Sequence, residues 1–172
     1  MDMAGNSKTF NTFCKAVHKA KKVNAFHGTL LALDPGETTG WCVFEYLTAN
    51  DSYIKVASGQ LKTWPMEDFV NNFKQLLMMY KPTAIVHEVY AVYEWKATDH
   101  SWSSVPTLRV IGGIEVFAIQ NGIPVYSQTA QIAKNFCTDD KLKTWGFYIT
   151  GERHARDAFR HAAYFLLFGP KD

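Results

Sequence analysis

The run LLALD, closed by Asp34 and followed at once by the turn PGETTG, constrains this chain more than any other stretch. Residues 29–34 are almost continuously apolar, which predicts a strand with little exposed face. A carboxylate is costly inside such a strand. It belongs at the C-terminal end, where a sheet opens into a cleft. Pro35 and Gly36 let the chain turn tightly just after the acid, and Gly40 starts a return strand. The pattern recurs at AIVHE, where Glu88 ends a second apolar run. A third acid, Asp157, lies on the first turns of the helical stretch HARDAFRHAAYFLLF. Three acids brought together would form a cluster of like charges that calls for a divalent cation.

The rest of the chain supplies the frame. Strand-like spacing covers 29–34, 40–46 and 53–61, and the first two could form a hairpin. Residues 66–80 switch to helical spacing, with Phe69, Phe73, Leu76 and Leu77 on one face, and Lys81-Pro82 ends that helix. A strand at 83–88 is followed by a polar, aromatic connection over 90–105. A helix over 106–121, a strand at 123–127 and helices over 129–136, 139–145 and 152–168 complete the order. Three leading strands suggest an antiparallel meander, and the later alternation suggests parallel additions. The expected class is α/β, with a central mixed five-stranded sheet flanked by helices.

At 172 residues the chain has room for one domain with a sizeable core. Residues 29–172 read as that domain. Residues 1–28 read as a basic N-terminal appendage, flexible or helical: Lys8, Lys15, Lys19, Lys21 and Lys22 crowd it, and Asp2 is its only acid. It suits a DNA-contacting arm, a partner-binding helix or a disordered leader; as a transit peptide it is short of arginine. No apolar run approaches the roughly 18–20 residues of a membrane span, and no secretory signal is visible. Cys14, Cys42 and Cys137 are odd in number and far apart, which favours a reducing, cytoplasmic compartment.

A net charge of +2 says little about partners, but its distribution says more. Lys134, Lys141, Lys143, Arg153, Arg156 and Arg160 crowd the C-terminal part. Basic clusters around an acidic centre suit a polyanion laid across a metal site; a solvated surface with a basic tail is the competing reading. His154 and Asp157 stand three residues apart, so a helix puts both on one face. His154 can serve as a metal ligand or as a general base. His161, one turn beyond Asp157, reads as a half-buried helix histidine. Arg153, Arg156 and Arg160 form a neighbouring stripe that would clamp phosphates or simply edge the helix.

Taken together, LALDPGETTGW, IVHEVY and HARDAFRHAAYFLL resemble the RuvC group of Holliday junction resolvases, within the ribonuclease H-like nucleases. The resemblance spans about Leu30 to Phe168. It implies a crossover junction endodeoxyribonuclease, a metal-dependent hydrolase acting in DNA recombination and repair, with Asp34, Glu88, His154 and Asp157 as catalytic and metal-binding residues. Two Mg2+ ions about 3.5–4 Å apart would be shared among them, with Mn2+ as a substitute. It further implies base-stacking aromatics after the second acid, here Tyr90, Tyr93 and Trp95. DNA contacts would come from Lys141, Lys143, Arg153, Arg156 and Arg160. A homodimer through the helix at 106–121 is implied too, with branched DNA as the partner and no membrane. The compact size suits a bacteriophage-encoded member working in the host cytoplasm. Two other readings compete. One is a non-catalytic branched-DNA-binding protein on the same fold. The other is a fragment of an actin-like or sugar-kinase-like phosphotransferase, since DPGETTG resembles that phosphate loop; such proteins need two domains, and 172 residues are too few.

Overall fold

Five strands line up in the order β3-β2-β1-β4-β5 in a computed structural model that describes residues 4–90 and 106–170. The elements run α1 (Ala4–Lys21), β1 (Thr29–Asp34), β2 (Thr38–Leu47), β3 (Ser52–Lys62), α2 (Met66–Tyr80) and β4 (Ala84–Glu88). They continue with α3 (Pro106–Gln120), β5 (Val125–Gln128), α4 (Ala130–Phe136), α5 (Asp139–Trp145) and α6 (Arg153–Phe168). The first three strands pair antiparallel. β4 joins β1 in parallel, and β5 joins β4 in parallel. This is the mixed α/β sheet read from the sequence, with element ends within two residues of those expected.

Period-two alternation sorts the strand side chains into two cores. Leu30 and Ala32 of β1, with Ala84 and Val86 of β4, face α6. Leu31, Leu33 and Ile85 face the opposite way, onto α2 and α3. The same parity, carried one step further, aims Asp34 and Glu88 toward the α6 side at the open ends of adjacent parallel strands. Leu33 pairs in register with His87, so the two acids follow side by side. Helix ends stop where local chemistry supplies partners. Lys81 caps α2 in the left-handed conformation, its N–H donating to Leu77 O at 2.9 Å. The Thr129 and Thr138 side chains accept from the first turns of α4 and α5.

The N-terminal segment corrects the expectation of an appendage. α1 packs against α5, α6 and β3. Phe10 is wholly buried and Cys14 almost so. The Phe10 ring meets those of Phe44, Trp145 and Phe147 with centroids 6.2, 5.2 and 5.1 Å away. The Asn11 side chain donates to Tyr53 O at 2.9 Å and accepts from Tyr53 N–H at 2.6 Å, completing the edge strand β3. His18 lies 2.7 Å from Leu166 O. The segment is helical, one of the two states expected of it, and Lys15 and Lys19 are exposed, but its inner face belongs to the core. Among the described residues, no helix is long and apolar enough to cross a membrane.

Candidate active site

Asp34, Glu88, His154 and Asp157 all line one pocket of about 290 Å³ at the C-terminal ends of β1 and β4. Lys134, Arg153, Tyr90 and Thr107 share its wall. The four residues expected to converge do so. The sheet supplies two of them through strand order, and α6 supplies the other two through its three-residue spacing.

α6 reaches this position because β2 is stripped of a side chain beneath it. Gly40 continues the α6-facing parity of Cys42 and Phe44, and a Cβ there would lie 2.0 Å from the His154 carbonyl carbon and oxygen. The first turn of α6 receives no cap from its own N-terminal side chain. Instead, the Gln60 side-chain oxygen on β3 accepts from the His154 backbone N–H at 3.2 Å. Neither Gly40 nor Gln60 stood out as a site residue in the sequence.

The imidazole of His154 donates through Nδ1–H to Asp34 Oδ2 at 2.8 Å. In the neutral ring this leaves the Nε2 lone pair available. Burial is the largest influence on Asp34, and it pushes the acid up to about 6. The His154 hydrogen bond opposes that rise, while Glu88 and Asp157 add to it through like charge. Glu88 moves the other way. Burial alone would raise it, but the His161 hydrogen bond and the Lys134 ammonium together hold it below the ordinary carboxylate range.

Lys134 is the residue least visible beforehand. Its ammonium lies 3.2 Å from Glu88 Oε2 and 3.1 Å from Asp157 Oδ2, bridging two of the acids. Burial would lower it, yet Asp157 and Glu88 raise it overall, so it stays charged. Sequence inspection placed it only within a basic cluster. His161 also departs from its half-buried expectation. It is wholly buried, with Nε2 3.0 Å from Glu88 Oε2 and Nδ1 3.0 Å from Gln128 Oε1.

Among the basic residues, Arg160 corrects the expected stripe of phosphate ligands. Its side chain is 12% exposed, and Nε donates to Asp157 Oδ1 at 3.0 Å. The same guanidinium also binds Cys137 O and Asp139, so it braces the site from within. Lys141 donates to Phe136 O at 2.7 Å, over the Phe136 ring. Arg156 donates to Ile149 O at 2.9 Å and covers the Tyr148 ring. Arg153 and Lys143 are exposed. Tyr93 and Trp95 lie outside the described residues.

The donor set suits a hard divalent cation: three carboxylates and one imidazole around one opening. Among the described residues, no three acidic or imidazole groups already enclose a single ion-sized point. Lys134 supplies the positive charge between two of them instead.

The mixed five-stranded sheet with its flanking helices is an α/β fold shared with solved RuvC-type Holliday junction resolvases. Thermus thermophilus RuvC, solved in complex with a Holliday junction substrate, aligns over 79% of this chain and 91% of its own with a TM-score of 0.60 at 17% identity. The yeast mitochondrial Holliday junction resolvase aligns over 92% of this chain and 91% of its own, with a TM-score of 0.55 at 10% identity. The fowlpox virus Holliday junction resolvase covers 80% of this chain and 97% of its own, with a TM-score of 0.54 at 14% identity. At these identities the likeness is one of fold. No protein-family model and no curated protein sequence matches the chain.

Proposed function

We propose that this protein is a divalent-metal-dependent, structure-specific DNA endonuclease that hydrolyses phosphodiesters in branched DNA, four-way junctions foremost. The observation that carries this reading is the convergence of Asp34, Glu88, His154 and Asp157 on one pocket in a resolvase-type fold. These four residues would hold the ions, Mg2+ or Mn2+. Bound there, the ions supply the Lewis acidity that favours attack of water on phosphorus.

The chain's own residues set the stage. His154 fixes the orientation of Asp34 and offers its Nε2 toward a proton or a ligand. Lys134 balances Glu88 and Asp157 and stands close enough to meet a phosphate oxygen entering the pocket. Arg153, at the rim, and the exposed Lys143 offer cations to the flanking backbone. Tyr90 lines the pocket beside Glu88, where stacking on a distorted base would be worth about 1–3 kcal/mol. We assign Tyr93 and Trp95 the same stacking role. Three buried, unpaired cysteines fit a reducing, cytoplasmic setting.

A homodimer completes the reading. α3 exposes Leu108, Val116 and Ile119 at 49, 54 and 78%, and Gly112 on the same helix has open space above it. A two-fold pair through this helix would present two sites to a roughly symmetric junction. Light scattering is expected to report a dimer for the wild type and a monomer for Ile119→Glu.

The deciding experiment is cleavage of a labelled four-way junction with Mg2+ or Mn2+, using Asp34→Asn as the control. Cutting by the wild type, lost in the variant by a factor of about 10³ or more, is expected. Junction binding without cutting would favour the non-catalytic scaffold. ATP hydrolysis without cutting would favour the phosphotransferase reading.

A further inference from the structure

Glu88 is held from behind. It is the last residue of β4, and its in-register neighbour on β5 is Gln128. His161 of α6 spans the pair, with Nε2 on Glu88 Oε2 and Nδ1 on Gln128 Oε1, each at 3.0 Å. The imidazole has no solvent exposure at all. A buried imidazole needs a partner at each nitrogen, and both partners here come from the acid-bearing end of the sheet. A side-chain amide can donate or accept, so Gln128 satisfies Nδ1 whichever ring nitrogen carries the proton. The β5 backbone reinforces the arrangement, since Gln128 O accepts from Val89 N–H at 2.8 Å.

We propose that His161 and Gln128 are positioning residues, which fix the Glu88 carboxylate through Oε2 and so preorganise it to hold a divalent cation. The inference rests on the nuclease reading above and deepens it. A glutamate has several rotatable bonds, and a carboxylate left to wander must be ordered each time a cation arrives. A donor behind a ligating carboxylate removes that cost and sets its direction, and loss of such a partner typically weakens metal binding about 10–100-fold. Lys134 also touches Glu88, but from the pocket side, where an incoming cation would displace it. His161 touches it from the protein interior.

The test measures Mn2+ affinity of the full-length protein by electron paramagnetic resonance of free Mn2+, without DNA. Glutamine can place its amide nitrogen near the position of the histidine Nε2, whereas asparagine reaches only as far as Nδ1. His161→Asn is therefore expected to weaken Mn2+ binding about 10–100-fold, with His161→Gln staying within about threefold of wild type. Gln128→Leu, at a half-buried strand end, is expected to weaken it about 3–10-fold, and it carries the test should His161→Asn fail to fold. A merely structural histidine would lower thermal stability in both His161 variants alike and leave Mn2+ affinity untouched in whatever folds. Wild-type affinity in folded His161→Asn or in Gln128→Leu, or equal weakening by Asn and Gln, overturns the proposal. Asp34→Asn separates the two levels. If it too binds Mn2+ like wild type, the metal site itself is wrong. If it loses Mn2+ while the His161 and Gln128 variants keep it, only the positioning role fails.

Discussion

At Asp34 a carboxylate meets burial, a histidine donor and two neighbouring acids at once. Burial dominates and lifts it from 3.8 to about 6, a difference worth about 3 kcal/mol. The folded, metal-free protein thus holds this proton more tightly than the unfolded chain does. That advantage is full below about pH 4 and disappears as the pH climbs through about 6. Asparagine has no such proton to lose. The stability of Asp34→Asn relative to wild type is expected to improve by about 3 kcal/mol between pH 4 and pH 7 without metal. Urea unfolding at the two pH values checks it. Glu88 is shifted in the opposite direction and is present in both proteins, so it enters the difference only through its like-charge coupling to residue 34. Asp34 was legible because a strand of apolar residues has few places for an acid. The ammonium of Lys134 was not, since nothing in a sequence says which lysine of a basic cluster will fold inward onto two carboxylates.

α6 shows how an element can be read and yet its seat missed. Its spacing announced His154 and Asp157 on one face, and both reach the pocket. What places the helix is a neighbour without a side chain. A methyl at residue 40 would sit 2.0 Å from the His154 carbonyl carbon and oxygen, which are backbone and cannot rotate away. Gly40→Ala is therefore expected to cost about 3 kcal/mol or more and to abolish cleavage, because the helix must lift off Asp34. Thermal unfolding alongside a junction assay separates the two effects. In the sequence Gly40 looked like the start of a return strand, which it is, but the approach of α6 is a contact between residues 114 positions apart, beyond any local pattern. The partnership of His161 with Glu88 and Gln128 was hidden for the same reason. Arg160 was visible as charge, while its engagement with Asp157, Asp139 and Cys137 was not.

Across the whole molecule, the mixed character of the sheet followed from where strands gave way to helices, whereas the order of its strands and the seat of the first helix did not. Phe10, Cys14 and Val17 repeat at helical spacing and all pack into the core on the α6 side. That stripe was the available signal, overshadowed by the five lysines in the same segment. Phe10→Ala should cost about 3–5 kcal/mol, measured by denaturant unfolding, where a detached arm would cost almost nothing. The lysine lodged between Glu88 and Asp157 has a consequence at this scale too. The chain carries its own counterion, so stripping divalent ions with a chelator leaves no naked acid trio to tear the sheet apart. Circular dichroism should stay unchanged through chelation and re-addition of Mg2+, with activity vanishing and returning. On the proposed reading, a protein built this way would wait, folded and inert, until a divalent cation arrived.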